Sequence, residues 1–501
     1  MTNSASASEK FQFEAKLRHI LDEDDKGLKA FYENLQGNIL KGHGRHHTVN
    51  RFFSFDPARA DEIKAAIAGL ASAGQITSAA AQQSATESFR SGGPADVPAV
   101  FLFLSRFGYE KLGVSADLPA GDAFTSGMKA RTEKLSDPSV ADWDPLFRND
   151  IDCLLLVGMP GASEAAKLAD TLTAVLSAAG ATKLGDESGL AIFNAAGEGL
   201  EHFGYVDGRS QPLFLKGDIG REIVVDGTDK WNPRFAALDT VLVRDPKGGE
   251  SAFGSFFVFR KLEQNVKGFK EAEEALADKL KLGDGEPDPV KKKSKRELAG
   301  AMVVGRFEDG TPLMIATSAE GQAVANNFNY EADPDGLVCP FQAHIRKTNP
   351  RGDVRRRLAP GSDRGDRGPI MARRGITYGQ GRQQDKQTLE LTDRPEKDFG
   401  LLFMAYQKDL EDQFEFTQES WANEEKFVRG FLPGESRTGI DPVIGHGLDR
   451  NFVWPLPQGG TEEAPFAQMV TMKGGEYFFA PSIGYLKQLA TSSTPVEMAV
   501  S

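Results

Sequence analysis

Three segments of the chain combine residues able to ligate a metal, move a proton or hold an anion with the Gly, Pro and aromatic residues that fix a backbone. The first, Phe203-Gly204-Tyr205-Val206-Asp207-Gly208-Arg209-Ser210-Gln211-Pro212, offers one carboxylate before a glycine. The second runs from Cys339 to Arg351 and carries His344, then Arg346, Lys347 and Arg351. The third, Met371-Ala372-Arg373-Arg374-Gly375-Ile376-Thr377-Tyr378-Gly379, carries two guanidiniums. A carboxylate can take and return a proton, a neutral imidazole can bind a metal, and a guanidinium can stabilise charge that develops beside it. Each residue also has a plainer reading. Asp207 fits a turn aspartate, His344 a hydrogen-bonded core imidazole, and the arginines solvated charge.

Other chemistries find little support. The chain has 7 histidines but no HExxH, and His46-His47 reads as two exposed imidazoles, because two ligands do not close a zinc site. The stretch Gly361 to Gly368 lacks the GK[ST] ending of a P-loop, no GxGxxG follows a strand, and no GxSxG occurs. Cys153 and Cys339 are too few for a disulfide scaffold or a four-cysteine metal site and read as buried thiols.

Composition narrows the classes further. The 501 residues carry a formal charge of -13, which argues against a nucleic-acid or anionic-membrane binder. Hydrophobic residues at 40% and charged residues at 26% are ordinary for a globular chain large enough to enclose a cofactor. The N-terminal stretch lacks a basic and then apolar leader, and no run approaches ~18 apolar residues, so a cytoplasmic protein without a membrane span is expected.

The elements that must position these residues follow from hydrophobic spacing. Lys16 to Leu35 has helical period, His47 to Phe55 reads as a strand, and Asp56-Pro57 opens a helix through Leu70. Val97 to Leu104 and Asp150 to Gly158 read as strands, with a helix over Ser163 to Ala178. A second set comprises strands at Ala236 to Leu242 and Gly254 to Arg260 and a helix over Asn265 to Leu280. It continues with a solvated insertion from Glu286 to Glu297, a helix from Leu298, a strand at Gly400 to Tyr406 and a helix over Leu410 to Trp421. Mixed strands and helices in two similar series predict an α+β fold of two ferredoxin-like halves. The expected limits are a tail and helix over 1–30, halves over 31–220 and 221–490, and a tail over 491–501.

Taken together, the three segments resemble a known family. Gly204-Tyr205-Val206-Asp207-Gly208 resembles the GxxDG motif of dye-decolorising peroxidases. Cys339 to Arg351 resembles the segment bearing that family's proximal haem histidine, and Arg373 to Gly379 its distal-arginine segment. Gly254 to Leu262, Leu401 to Gln407 and Leu35 to Lys41, the last typical of longer members, are similar to further family pieces in the same order.

The resemblance implies two ferredoxin-like domains, with haem b chiefly in the C-terminal one. It implies an H2O2-dependent peroxidase that oxidises phenolic and dye-like aromatic donors through a ferryl intermediate. His344 matches the axial iron ligand, Asp207 with Gly208 the distal acid–base motif, and Arg373, rather than Arg374, the distal guanidinium. Leu401 and Phe403 match apolar residues over the haem, and Arg346, Lys347 and Arg351 are candidates for its propionates. For the carboxylate behind His344, Asp441 is the first candidate and Glu415 the second. The resemblance allows homo-oligomers and implies no nucleic-acid or membrane partner. The competing reading is a haem-binding or haem-processing protein without peroxide turnover, to which an intact Asp207–Arg373 pair would be superfluous.

Overall fold

A computed structural model describes residues 7–94, 97–320, 325–358, 364–380, 382–385, 390–431 and 437–491. The expected C-terminal tail therefore lies almost wholly outside the described residues.

The apolar runs become the strands of one antiparallel sheet. The first half supplies β1 (His47–Phe55), β2 (Ala99–Leu104), β3 (Cys153–Met159) and β4 (Ala181–Leu190). The second supplies β5 (Val243–Arg244), β6 (Phe253–Gln264), β7 (Ala372–Arg373), β8 (Ile376–Tyr378), β9 (Gly400–Gln407) and β10 (Val470–Ala480). The sheet order is β8-β9-β6-β10-β2-β3-β1-β4, with β5 on β6 and β7 on β9.

Each half of that order, β4-β1-β3-β2 and β10-β6-β9-β8, is the same ferredoxin-like arrangement. The halves meet where Leu104 of β2 pairs with Phe479 of β10. At the opposite edges, Thr377 Oγ1 of β8 donates to the Leu190 carbonyl of β4, so the sheet curls toward a barrel. Rings from both halves fill its interior: Phe103 stacks on Phe257 at 4.3 Å and Phe52 meets Phe259 edge-on at 5.0 Å. Such pairs add about 0.5–1.5 kcal/mol each beyond their buried area, so the two halves share one core.

Helices cover the outer face. In Ala60–Ser72 the stripe Ile63, Ile67, Leu70 and Ala71 is buried, the i, i+4 spacing of an amphipathic helix. Val266–Lys279 starts where Asn265 accepts from Gly268 N and buries Val266, Phe269 and Leu276.

Three expectations need correction. Lys16 to Leu35 is not one helix but the end of Ala7–Leu17 and a separate Lys29–Asn34, split at Asp25, which caps a short turn. Ala236 to Leu242 holds a helical turn, Ala237–Thr240, and the strand begins only at Val243. The helix expected from Leu298 starts earlier, at Pro289 inside the solvated insertion: Asp288 accepts from Val290 N and Lys291 N, Pro289 occupies the first turn, and one helix runs on to Val304. Leu410 to Trp421 is helical as expected, but wound in wide π turns.

Candidate active site

The three segments converge on one cavity of about 1740 Å³, mouth included. Its wall contains His344, Asp207, Gly208, Arg373, Leu401, Phe403 and Arg351.

Arg373 ends β7, which pairs with β9 so that Arg373 lies opposite Ala405. Its backbone N–H donates to Gln211 Oε1 (2.9 Å), and its Nη1 reaches Asp207 Oδ1 at 3.1 Å. Asp207 sits on a turn whose glycines, Gly204 and Gly208, hold φ of 100° and 80°, a region that disfavours any side chain. Its Oδ1 also accepts from Gly208 N (2.6 Å). Both side chains of the pair are about a third exposed, at 33% and 36%, so they face an open cavity. Arg374 points the other way and donates to the Asn38 and Ile39 carbonyls, tying the Leu35 to Lys41 segment to this wall. On β9, alternation sends Leu401 and Phe403 into the cavity and Leu402 and Met404 into the core.

His344 opens the short helix His344–Thr348. Its Nδ1 lies 2.7 Å from Asp441 Oδ2, and Asp441 Oδ1 accepts from Val443 N (2.8 Å) and Ile444 N (3.0 Å). The ring therefore donates through Nδ1 and leaves Nε2 as a ligand atom. Burial pushes this imidazole down, but the charge and hydrogen bond of Asp441 outweigh it, so its proton affinity is raised. Arg373 and Asp207 are near enough to act on the ring in opposite senses.

Glu415, the second candidate for this carboxylate, is elsewhere. It accepts from Arg131 Nε (2.8 Å) and Nη2 (2.5 Å) and from the Tyr477 hydroxyl (3.0 Å), beside Lys134.

The basic residues after His344 also separate. Arg346 is buried between Asp333 (2.8 Å) and Asp353 (2.7 Å), and Lys347 donates to backbone carbonyls, so neither reaches the cavity wall. The helix turns Arg346, two residues on, away from the face of His344, whereas Lys347 shares that side but is drawn off by the Glu424 and Phe427 carbonyls. Arg351 does reach the wall. Its φ of 41° bends the chain back beyond the helix. Arg306, which no motif marked, joins it there. Arg351 donates to the Asn326 and Phe328 carbonyls (2.6 and 3.0 Å), Arg306 to those of Gly310 and Ala325 (2.7 and 2.9 Å), and both reach Ser210 Oγ. Among the described residues neither has a carboxylate partner. Burial, and for Arg351 the charge of Arg306, pulls Arg351 down to about 9, and burial pulls Arg306 to about 10. Two buried cations without a counter-anion make a site for anionic groups.

Both cysteines are buried free thiols outside the cavity wall. No described helix is long and apolar enough to cross a membrane.

The chain is similar to known proteins over most of its length. Residues 34–187 match the model of the DyP dimeric alpha+beta barrel domain. A multifunctional dye peroxidase from an Amycolatopsis species is 45% identical over 91% of this chain and 95% of its own. A dye-decolorizing peroxidase from Exidia glandulosa is 30% identical over 91% of this chain and 86% of its own. The crystal structure of a DyP-type peroxidase from Anabaena superposes with a TM-score of 0.84 at 38% identity, covering 95% of this chain and 99% of that one.

Proposed function

Because the chain belongs to the dye-decolorising peroxidase family, we propose that its cavity would hold haem through His344 Nε2, with Asp207 and Arg373 as the groups that would act on peroxide in the same cavity. The enzyme is an H2O2-dependent peroxidase of phenolic and dye-like aromatic donors. The observation that carries this reading is the Asp207–Arg373 contact at 3.1 Å in the same cavity as a carboxylate-backed histidine.

The residues present suit the group. His344 Nε2 offers a neutral nitrogen, Leu401 and Phe403 an apolar surface for the macrocycle, and Arg306 and Arg351 unpaired charge for its propionates. No cysteine stands at the wall to form a thioether, which favours haem b. Haem supplies the iron at which peroxide binds and the store of oxidising equivalents left by its reduction.

The chain's own groups move the proton. The Asp207 carboxylate takes it from one peroxide oxygen and returns it to the other, which departs as water. Arg373 carries a permanent charge beside that path, and it stabilises negative charge on the peroxide and on the departing oxygen. Asp441, hydrogen-bonded to His344 Nδ1, would give the imidazole anionic character and strengthen its donation to the iron. Leu401 and Phe403 limit what enters to small oxidants. A haem carrier needs no acid–base pair, so the Asp207–Arg373 contact favours turnover over storage.

Oxidation of a synthetic dye by the haem-loaded protein tests the reading. Decolorisation should depend strictly on H2O2. A haem-loaded protein that leaves both dye and peroxide unchanged contradicts it.

A further inference from the structure

Lys347 lies three residues beyond His344 on the same short helix and is fully buried, at 0% exposure. Its ammonium protons meet three acceptors: the Glu424 carbonyl (2.8 Å), the Phe427 carbonyl and Thr438 Oγ1 (3.4 Å). Among the described residues no carboxylate lies within ion-pair distance. Three acceptors suit an ammonium. Burial nevertheless pulls the amine down to about 7, so keeping a charge here costs free energy that an apolar side chain of similar length would not.

What the amine touches explains its presence. Its acceptors belong to the two strands of chain that deliver Asp441. Thr438 N and Gly439 N donate to the Glu425 carbonyl (2.8 and 3.0 Å), and Thr438 Oγ1 donates to the Glu425 and Phe427 carbonyls (2.9 and 2.6 Å). Asp441 N then donates to the Ala422 carbonyl (2.7 Å). Lys347 thus fastens the helix that begins with His344 to the segment that ends with Asp441.

We propose that Lys347 is a positioning residue that holds the Asp441 carboxylate against His344 Nδ1 and so sets how strongly the imidazole donates to the haem iron. This rests on the haem reading above. Neither a propionate nor peroxide is its target.

The test compares haem-loaded wild type with Lys347→Met, Asp441→Asn and the double variant. The readouts are the iron–imidazole stretching mode of the ferrous protein, by resonance Raman, and the haem reduction potential. Thr438→Val, which removes one acceptor of the same tether, serves should Lys347→Met fold poorly. Lys347→Met should lower the stretching frequency by at least half the drop seen in Asp441→Asn. Thr438→Val should lower it in the same sense. The double variant should match Asp441→Asn in both readouts, because the lysine acts through the carboxylate. A mode unmoved by Lys347→Met and Thr438→Val overturns the proposal. So does a Lys347→Met shift of full size in the Asp441→Asn background, which would be a direct charge effect. A wild type that binds haem but shows no iron–imidazole mode contradicts the haem reading and the proposal together.

Discussion

His344 Nδ1 and Asp441 Oδ2 lie 2.7 Å apart although 97 residues separate them in the chain. The carboxylate is not free to turn, since Val443 and Ile444 hold its other oxygen through their backbone N–H groups. Partners of this kind typically change metal affinity or activity by about 10–100-fold when removed. Asp441→Asn should therefore still take up haem but react with H2O2 about 10–100-fold more slowly in stopped-flow mixing. Glu415→Gln should leave that rate near wild type, because its partners are Arg131, Lys134 and Tyr477. Equal slowing in both variants would contradict the assignment.

Arg306 and Arg351 predict a particular ligand preference. A charge-assisted hydrogen bond to a propionate is worth about 1.5–3 kcal/mol, or about tenfold or more in affinity. Wild-type protein should bind haemin at least about tenfold more tightly than its propionate dimethyl ester. Arg306→Met with Arg351→Met should lose haemin affinity and with it that discrimination, as read by fluorescence-quenching titration. Discrimination that survives in the double variant would place the propionates elsewhere.

Two imidazoles, His202 buried and His43 partly buried, make stability fall in mild acid. His202 Nδ1 accepts from Arg382 Nη1 (2.9 Å) while its Nε2 meets the Tyr378 carbonyl (2.7 Å), and His43 Nδ1 accepts from Arg45 N (3.0 Å). A second proton on either ring would break such a bond. Burial, then the neighbouring arginines, pulls His202 down to about 4 and His43 to about 3. The unfolded chain thus protonates first as pH falls. The stabilisation is fully present above the ordinary histidine pKa of about 6.5 and is lost toward pH 4. Each ring contributes a slope of at most about 1.4 kcal/mol per pH unit in that window. Urea midpoints at pH 7.5 and 5.0 should fall less in His202→Gln than in wild type. Identical drops would show that His202 does not titrate on unfolding.

The cavity residues that sit within one short motif were legible in the sequence, and those assembled by the fold were not. Asp207, His344 and Arg373 each sit in a segment whose glycines and prolines fix the local backbone, so the motif survives in one stretch. The two ferredoxin-like series were legible in part: buried strands such as Ala99–Leu104 and Cys153–Met159 are nearly continuous apolar runs, whereas the half-exposed, polar Ala181–Leu190 and the glycine-interrupted Val470–Ala480 gave no such signal. Arg306 gave no signal: it follows a helix end, and only the fold brings it to Arg351. Arg346 and Lys347 misled by nearness: helical rotation carries Arg346 off the face of His344, and Lys347 is held by backbone carbonyls of a segment distant in the chain. The helix at Pro289–Val304 could have been read, since Asp288-Pro289 is a start signal that outweighed the run of lysines.

The central claim is that Asp207 moves the peroxide proton, and single-turnover mixing addresses it most directly. Haem-loaded wild type and Asp207→Asn would each be mixed with one equivalent of H2O2 while the Soret band is followed. The wild-type band should shift rapidly and return when a phenolic donor is added. In Asp207→Asn the shift should be slower by about 100-fold or more, with haem uptake unchanged. Equal rates in the two proteins would contradict the account and move the proton path to Arg373 and water.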